Sequence, residues 1–505
     1  MPNYPVLIGA GQLTNHPRAL GDAVEPIEMM ERVAREAATD AGAPGLLEKL
    51  DSVQVVNILS WSYVDAPGML AARVGAEPKH TVYSPIGGET PQRLINETAQ
   101  AIVDGRIRLA LLAGVEVMES RRLARKLDEK LAWERGTPQR VDGENPPGFT
   151  ETEARHGAAT PTRVYPLFEN AIRAHLGLSI EEHRLRLGDL CSRFSSVAAG
   201  NPYAWFPEAR SPEEIATVRP DNRMVGFPYP KLMNAIMEVD QAAALIMTGS
   251  ETARELGIPE DRWMYLHGSG DAIEKWFVSE RLNYHSSPAI RAATQRALGM
   301  AGIGADAVAM FDIYSCFPSA VQIGLDALGV KPDDPRPLTV TGGLPYAGGP
   351  GNNYVMHSVA TMVHCLRESP RDYGLVTALG WFATKHSAGV YSTRRPEGEW
   401  RRTDPAVDQR DVDAMKSPPF VEQADGDATV ETYTVIFNRD GEPEQGVVIG
   451  RLISVAQGPS PADAPRFFAN TPPDRDLMLA MTREEFVGRR GRVRVGDGRN
   501  VFEAR

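Results

Sequence analysis

The chain has 505 residues, of which 42% are hydrophobic and 24% are charged, a composition typical of multidomain globular proteins. Its formal net charge of −12 argues against general affinity for nucleic acid and for anionic membrane surfaces. Three scattered cysteines exclude a disulfide framework, and no spacing typical of a metal site occurs, so we expect a reducing compartment and no metal. With no recognisable signal peptide or membrane-spanning stretch, we expect a cytoplasmic protein.

Short apolar runs alternate with amphipathic helices over residues 1–120. Val6–Ala10, Val53–Leu59 and Leu109–Val117 are typical of buried strands. Glu25–Ala41 has apolar residues at helical spacing, and Thr90-Pro91 is typical of a helix start. This alternation predicts an α/β core with a largely parallel sheet.

The alternation stops at residues 121–234, which are rich in charge, proline and aromatic residues. Helices are expected at Tyr165–Leu176 and Ile180–Ala198, and the segment is interpreted as an insertion in the core. A second α/β stretch, residues 263–395, has an order and size similar to the first, which indicates an internal duplication.

The last part of the chain differs again in composition. Residues 396–414 are polar and contain proline, so we interpret them as a linker. Residues 415–505 are predicted to form a small extra β-rich domain. Its expected strands are Val430–Phe437, Gln445–Val455 and Gly491–Val495.

Five segments, in a matching order and spacing, carry a resemblance to a known family: Val6–Ala10, Leu112–Met118, Asn234–Ala244, Asp312–Phe317 and Gly342–Pro350. They are similar to the first strand and to four motifs of the thiolase superfamily, in particular its thiolase-like members related to sterol-carrier-protein thiolases. The resemblance implies the α/β thiolase fold with two duplicated βαβαβαββ core halves. The first half would comprise residues 1–120 and 235–262, and the second residues 263–395. Residues 121–234 would form the inserted, largely helical loop domain that holds coenzyme A in this family.

The chain departs from this family at the positions that carry its chemistry. Thiolases attack an acyl thioester with a cysteine at a helix N-terminus, which aligns here with Gly88. The residues at the other matched positions are Gly349 for the histidine, Tyr314 for the group that holds a water, Leu379 or Gly380 for the second cysteine, and Ile236 for a serine near coenzyme A. Removing one member of such a nucleophile–base unit typically costs ~10⁴–10⁶-fold in rate, so ordinary thiolase turnover is not expected.

Some residues could still bind or react with a thioester. Cys316 is either a packing residue or a new nucleophile paired with His357 or His386. Glu89 is either a general base or a carboxylate that complements the helix dipole. The candidate substrate-binding residues are Gly88, Glu89, Tyr314, Gly349 and Asn352.

Three functions are compatible with this pattern. The first is a protein of acyl-CoA or lipid metabolism that binds coenzyme A or acyl-CoA with weak, altered or absent activity. The second is an active acetyl-CoA acyltransferase whose chemistry has moved to the Cys316 site. The third is a non-catalytic scaffold that acts through residues 415–505. We expect a small-molecule thioester as partner, neither membrane nor nucleic acid, and either the homodimer usual in the family or a monomer.

Overall fold

The structure of the chain, a computed structural model, describes residues 3–453 and 463–505. Its strands are β1 (Pro5–Asn15), β2 (Ser52–Val55), β3 (His80–Tyr83), β4 (Leu109–Val117), β5 (Met224–Gly226), β6 (Tyr229–Pro230), β7 (Asp240–Gly249), β8 (Met264–Ile273), β9 (Val308–Asp312), β10 (Tyr373–Gly380), β11 (Lys385–Ser392), β12 (Gly426–Phe437), β13 (Pro443–Leu452), β14 (Arg466–Asn470), β15 (Arg490–Gly496) and β16 (Arg499–Ala504).

The helices are α1 (Pro26–Asp40), α2 (Ala66–Val74), α3 (Thr90–Val103), α4 (Met118–Leu127), α5 (Glu151–Arg155), α6 (Pro161–His175), α7 (Ile180–Ala198), α8 (Pro212–Ala216), α9 (Ser250–Glu255), α10 (Pro288–Ala301), α11 (Pro318–Leu328), α12 (Tyr354–Glu368), α13 (Ala406–Ala414) and α14 (Arg475–Met481). Among the described residues, no helix is long and apolar enough to span a lipid bilayer.

The core sheet has nine strands within the described residues, in the order β3-β2-β4-β7-β1-β8-β11-β10-β9. β2 is parallel to β3 and β4, and β9 is parallel to β10, but the other neighbours are antiparallel. The expectation of a largely parallel sheet was therefore wrong. The sheet is mixed because β7 and β11 each insert between strands of their own half and run opposite to them.

The two halves of the core sheet repeat one arrangement. α1 packs on β1, β4 and β7, and α10 packs in the same way on β8 and β11. α3 and α12 contact strands of both halves, so they form a central layer between them. The halves are joined at β1 and β8, which pair over only two residues. The internal duplication indicated by the sequence is therefore visible in the order of the layers.

The first strand of each half carries two glycines that let a helix approach closely. A Cβ atom added to Gly9 or Gly11 would overlap backbone carbonyl oxygens of α1. Gly268 and Gly270 stand in the same relation to backbone carbonyls of α10. In both strands glycine is required for helix-to-strand packing, which explains the Gly9-Ala10-Gly11 segment without a nucleotide-binding role.

The C-terminal strands form a second sheet that closes on itself. Its order in the described residues is β13-β14-β16-β15-β12-β5-β6, and β13 also pairs with β12. The five strands β12 to β16 therefore make a small barrel. β5, from the insertion, joins the barrel at β12, so the insertion and the C-terminal part share one sheet. The domain boundaries stay predictions, and Val455, the end of one expected strand, lies outside the described residues.

Arg466 fastens the barrel to the core. Its side chain is fully buried, pairs with Glu431 at 2.8 Å, and donates hydrogen bonds to the carbonyls of Ser279 and Arg281. Its guanidinium also lies 4.7 Å from the centre of the Tyr284 ring. A buried cation held by a carboxylate, carbonyls and an aromatic face gives a specific contact between the two parts.

The segment interpreted as a linker contains the helix α13. Asp408 forms a double hydrogen bond with Arg296 of α10, at 2.7 and 2.6 Å. Gln409 hydrogen-bonds both the N–H and the carbonyl of Ile273 at the end of β8, each at 2.8 Å. Val412 is the buried residue of this helix. So small an apolar face has no clear helical periodicity, which is why the sequence pattern indicated only a linker.

Candidate functional site

The N-terminus of α3 is the position at which the resemblance places a nucleophile. Gly88 lies just before this helix, which has Pro91 in its first turn. A Cβ atom added to Gly88 would overlap the hydroxyl of Tyr314 and lie 2.5 Å from the carbonyl oxygen of Leu379. The space that a cysteine side chain would need is therefore filled by a tyrosine from the opposite half.

Tyr314 follows the end of β9 and is buried. Its backbone N–H donates to the Thr377 hydroxyl at 2.9 Å, and its ring packs edge-on against Tyr354 at 5.6 Å. Burial raises the pKa of the Tyr314 phenol well above its usual value. The phenol is therefore protonated at neutral pH and can donate a hydrogen bond next to Gly88.

Glu89 forms a buried ion pair that the sequence did not indicate. Its carboxylate lies 2.8 Å from Lys385 Nζ, which also donates to the carbonyl of Ile86 at 2.6 Å. The second oxygen of Glu89 is buried without a hydrogen-bond partner. A Cβ atom added to Gly87 or to Gly380 would overlap this second oxygen. These glycines make room for a carboxylate beside Gly88.

Asn352 and Gly349 hold the loops around this position. Asn352 accepts a hydrogen bond from the Gly87 N–H at 2.9 Å and donates to the Asn57 carbonyl at 2.8 Å. The N–H of Gly349 donates to the Ile236 carbonyl at 2.8 Å. A Cβ atom on Gly349 would lie only 3.1 Å from that same oxygen, so a histidine would be crowded here. The geometry assigns both residues a role in fixing the loops.

Cys316 lies in an aromatic environment. Its thiol is next to the Tyr165 hydroxyl, and burial raises the pKa of the thiol to about 12. Tyr165 donates to the carbonyl of Trp381 at 3.0 Å, accepts from the N–H of Ala383 at 3.1 Å, and stacks on Phe317 at 4.5 Å. A thiol with so high a pKa is a poor source of thiolate at neutral pH.

The two histidine candidates have other partners than Cys316. His357 hydrogen-bonds Gln12 through Nδ1 at 3.0 Å, and burial lowers its pKa to about 3. His386 hydrogen-bonds the Ala383 carbonyl through Nε2 at 3.1 Å, and burial lowers its pKa to about 4. Within the part of the chain that the structure describes, no hydrogen bond joins either ring to Cys316. The Cys/His pair stays a prediction that the geometry does not support.

A solved structure from Mycobacterium smegmatis, a monomeric SCP2-thiolase-like protein of type 1, is 37% identical to the chain. The match covers 99% of both chains with a TM-score of 0.84. The chain belongs to the SCP2-thiolase-like proteins of type 1. The family model for the additional C-terminal domain of thiolase-like protein type 1 matches residues 408–498, which cover most of α13 and most of the barrel. The resemblance and the fold class predicted from the sequence are thereby confirmed.

Two further comparisons place this SCP2-thiolase-like protein among more distant proteins. An acetyl-CoA acetyltransferase from Methanocaldococcus jannaschii is 24% identical over 315 residues, which are 60% of this chain and 72% of that protein. The structure of an acetyl-CoA acetyltransferase from Syntrophomonas wolfei is 15% identical and has a TM-score of 0.57. That match covers 78% of this chain and all of the other, so it supports the fold alone.

The sequence motif around Asp312 has a structural role in this SCP2-thiolase-like protein. The Asp312 carboxylate is fully buried and accepts hydrogen bonds from four side-chain hydroxyls, those of Thr339, Thr341, Tyr354 and Ser358. It therefore anchors the loop before Gly342 to α12. The sequence pattern did not indicate that Lys385 is a site residue, because its partner Glu89 is distant in sequence. In the described residues, no group of His, Cys, Asp and Glu is arranged to hold a metal ion.

Proposed function

We propose that this protein binds coenzyme A or an acyl-CoA thioester on a thiolase scaffold and does not catalyse the cysteine-dependent thiolase reaction. Its family and the acetyl-CoA acetyltransferases to which it is similar support an acyl-CoA ligand. The observation that carries the proposal is the overlap that any side chain at Gly88 would have with Tyr314. With glycine at this position no acyl-enzyme can form there, which leaves binding as the function of the site.

Tyr314 supplies the chemistry that remains at this position. Its protonated phenol can donate a hydrogen bond to the carbonyl oxygen of a thioester, as oxyanion-hole donors do in acyl transfer. Glu89 and Lys385 neutralise each other, so the pair adds little net charge to the site. The site therefore distinguishes a thioester from the free thiol of coenzyme A by one hydrogen bond, with an expected effect of about 1 kcal/mol.

Calorimetric titration with coenzyme A, acetyl-CoA and palmitoyl-CoA, run beside a thiolysis assay, tests the proposal. We expect binding without turnover, with acetyl-CoA bound more tightly than coenzyme A. Tyr314→Phe should remove this roughly five-fold preference, because it removes the hydroxyl alone. Tyr373→Phe, at a half-buried tyrosine of β10, is the matched control and should leave it unchanged. No binding of any of the three ligands contradicts the proposal.

Relocated chemistry at Cys316 is tested in the same assay. If thiolysis is observed, Cys316→Ala should abolish it when this thiol is the nucleophile. Cys191→Ala is the matched control, because Cys191 is also buried and burial raises its pKa to about 12. Equal activity in the two variants would rule out a nucleophilic Cys316.

A further inference from the structure

A cavity of about 450 Å³ lies between α3, the ends of β8 and β11, and α13. This volume is within the range of about 300–1,000 Å³ typical of small-molecule sites. Pro85, Pro146, Ile273 and Trp276 contribute apolar wall. The indole of Trp276 is held in place because its Nε1 donates to the Pro147 carbonyl at 2.8 Å. An apolar group of a ligand can therefore pack against a rigid surface.

Six of the seven charged residues of the cavity are paired with one another, and the seventh, Glu144, is exposed. They form three ion pairs with nitrogen–oxygen distances of 2.7–2.8 Å: Lys385–Glu89, Arg93–Glu97 and Arg402–Asp271. Each cation already has a carboxylate partner, so an anionic ligand would have to compete with an existing ion pair. A cationic ligand could pair with Glu144, but an ion pair with an exposed carboxylate contributes little. The cavity is therefore better suited to a neutral ligand.

Polar atoms without hydrogen-bond partners cluster around this cavity. Among the described residues that line it, Arg93 Nη2, Arg402 Nε, His386 Nδ1 and Glu89 Oε2 are buried and unpartnered. His386 is 2% exposed, and its Nε2 faces the Ala383 carbonyl, so Nε2 carries the hydrogen and Nδ1 is an acceptor. Buried polar groups usually have partners, so two donors and two acceptors around one cavity point to a bound group.

We propose that this cavity is a second binding site, for a neutral small molecule with an apolar body and a hydroxyl or carboxamide group. Such a group both donates and accepts hydrogen bonds, so it can partner an unpartnered donor or an unpartnered acceptor of the wall. A carboxylate could not donate to His386, and an ammonium group could not accept from Arg93 or Arg402.

The site is distinct from the one proposed for acyl-CoA. Gly88 and Tyr314 are not among its lining residues, and α13, which closes one side of the cavity, lies outside the thiolase core. Glu89 and Lys385 stand at the boundary between the two sites. The two proposals can therefore fail independently, since acyl-CoA binding does not require the cavity to be open.

Methyl NMR of the full-length protein can detect occupation of the cavity. Ala272 and Ile273 line it and carry methyl groups that report on a ligand. Benzyl alcohol and benzamide are the neutral probes, and benzylamine and benzoate are charged probes of nearly equal size. We expect saturable shifts of both methyl signals by the neutral probes, with a Kd of about 1 mM, and binding of the charged probes about tenfold weaker or more.

A pair of variants on α13 locates the binding. Ala406 lines the cavity and is exposed, so Ala406→Phe should fill part of it and weaken benzyl alcohol binding about tenfold. Val407 is adjacent and 40% exposed but is not a lining residue, so Val407→Phe should leave the affinity within about twofold of wild type.

Either of two results would overturn the proposal: no response of the two methyl groups to any neutral probe, or equal binding of neutral and charged probes. Unchanged affinity in Ala406→Phe would also overturn it, because the probe would then bind elsewhere. Titration of Ala406→Phe with coenzyme A separates the two sites, since acyl-CoA binding should persist in this variant.

Discussion

The two halves of the core carry corresponding four-residue segments, Gly9–Gln12 in β1 and Gly268–Asp271 in β8. In each segment the two glycines pack against backbone carbonyls of the next helix. The fourth residue of each reaches the central helix of the opposite half. The two halves therefore share the close packing of glycines against a helix, but they differ in the polar residue that follows these glycines.

That fourth residue makes a neutral contact in one half and an ionic contact in the other. Gln12 hydrogen-bonds His357 and Thr361 of α12 at 3.0 and 3.2 Å. Asp271 accepts from Asn96 of α3 at 3.0 Å and pairs with Arg402 at 2.7 Å. A carboxylate at a partly buried position needs a cation, and here the segment before α13 supplies it. The segment that contains Arg402 and leads into α13 is thus coupled to the second half of the core.

The largest expected effect tests whether the glycines of the two halves are equivalent. Gly9→Ala and Gly268→Ala should each lower the free energy of unfolding by about 3 kcal/mol or more, because backbone carbonyls cannot move away from a new methyl group. Gly299→Ala, in α10 with open space around it, should instead be neutral or stabilise by up to about 1 kcal/mol. Urea denaturation of the three variants measures this. A small effect at only one strand would show that the halves are not equivalent.

The ionic contact of the second half is the next test. Asp271→Asn should destabilise the protein by about 2–3 kcal/mol, because it leaves Arg402 partly buried without a carboxylate. Asp104→Asn breaks an exposed pair with Arg106 and should cost less than about 1 kcal/mol. Denaturation curves of the two variants give the difference. If they were equal, the coupling of the C-terminal segment to the core through Asp271 would be rejected.

Gly88 differs from the strand glycines because one of its close neighbours is a side chain. Gly88→Ala should cost about 2 kcal/mol, since Tyr314 can shift whereas the Leu379 carbonyl cannot. The double variant Gly88→Ala with Tyr314→Phe should recover about half of this loss. Thermal unfolding of the single and double variants measures the coupling. Strict additivity would show that the Tyr314 hydroxyl does not fill the space beside Gly88.

The smallest effect concerns the neutral contact of the first half. Burial lowers the pKa of His357 to about 3, so below pH 6.5 the unfolded chain binds a proton there that the folded protein does not. Stability is therefore lost at this site as the pH falls from 6.5 towards 3. His357→Gln should reduce the stability lost between pH 6.5 and 5 by about 1.5 kcal/mol. Unfolding free energies of wild type and variant at both pH values test this, and identical losses would contradict it.

Part of the fold could be predicted from local pattern. The helix Ile180–Ala198 has the predicted bounds, because a capping serine and a regular apolar face define it locally. The mixed direction of the sheet and the helix α13 could not be predicted in this way. The direction of a strand depends on its neighbours in space. The apolar face of α13 is small, and the contacts that hold this helix are made with α10.

The sequence by itself determined the family and the duplicated α/β core, since these depend on the order of motifs. Only the tertiary structure decided what occupies the space beside Gly88. Tyr314 fills it from the other half, and Glu89 pairs with Lys385, which hydrogen-bonds a carbonyl 299 residues away along the chain. Side chains so far apart in sequence meet only after both halves have packed on the central helices, and no local pattern encodes that contact.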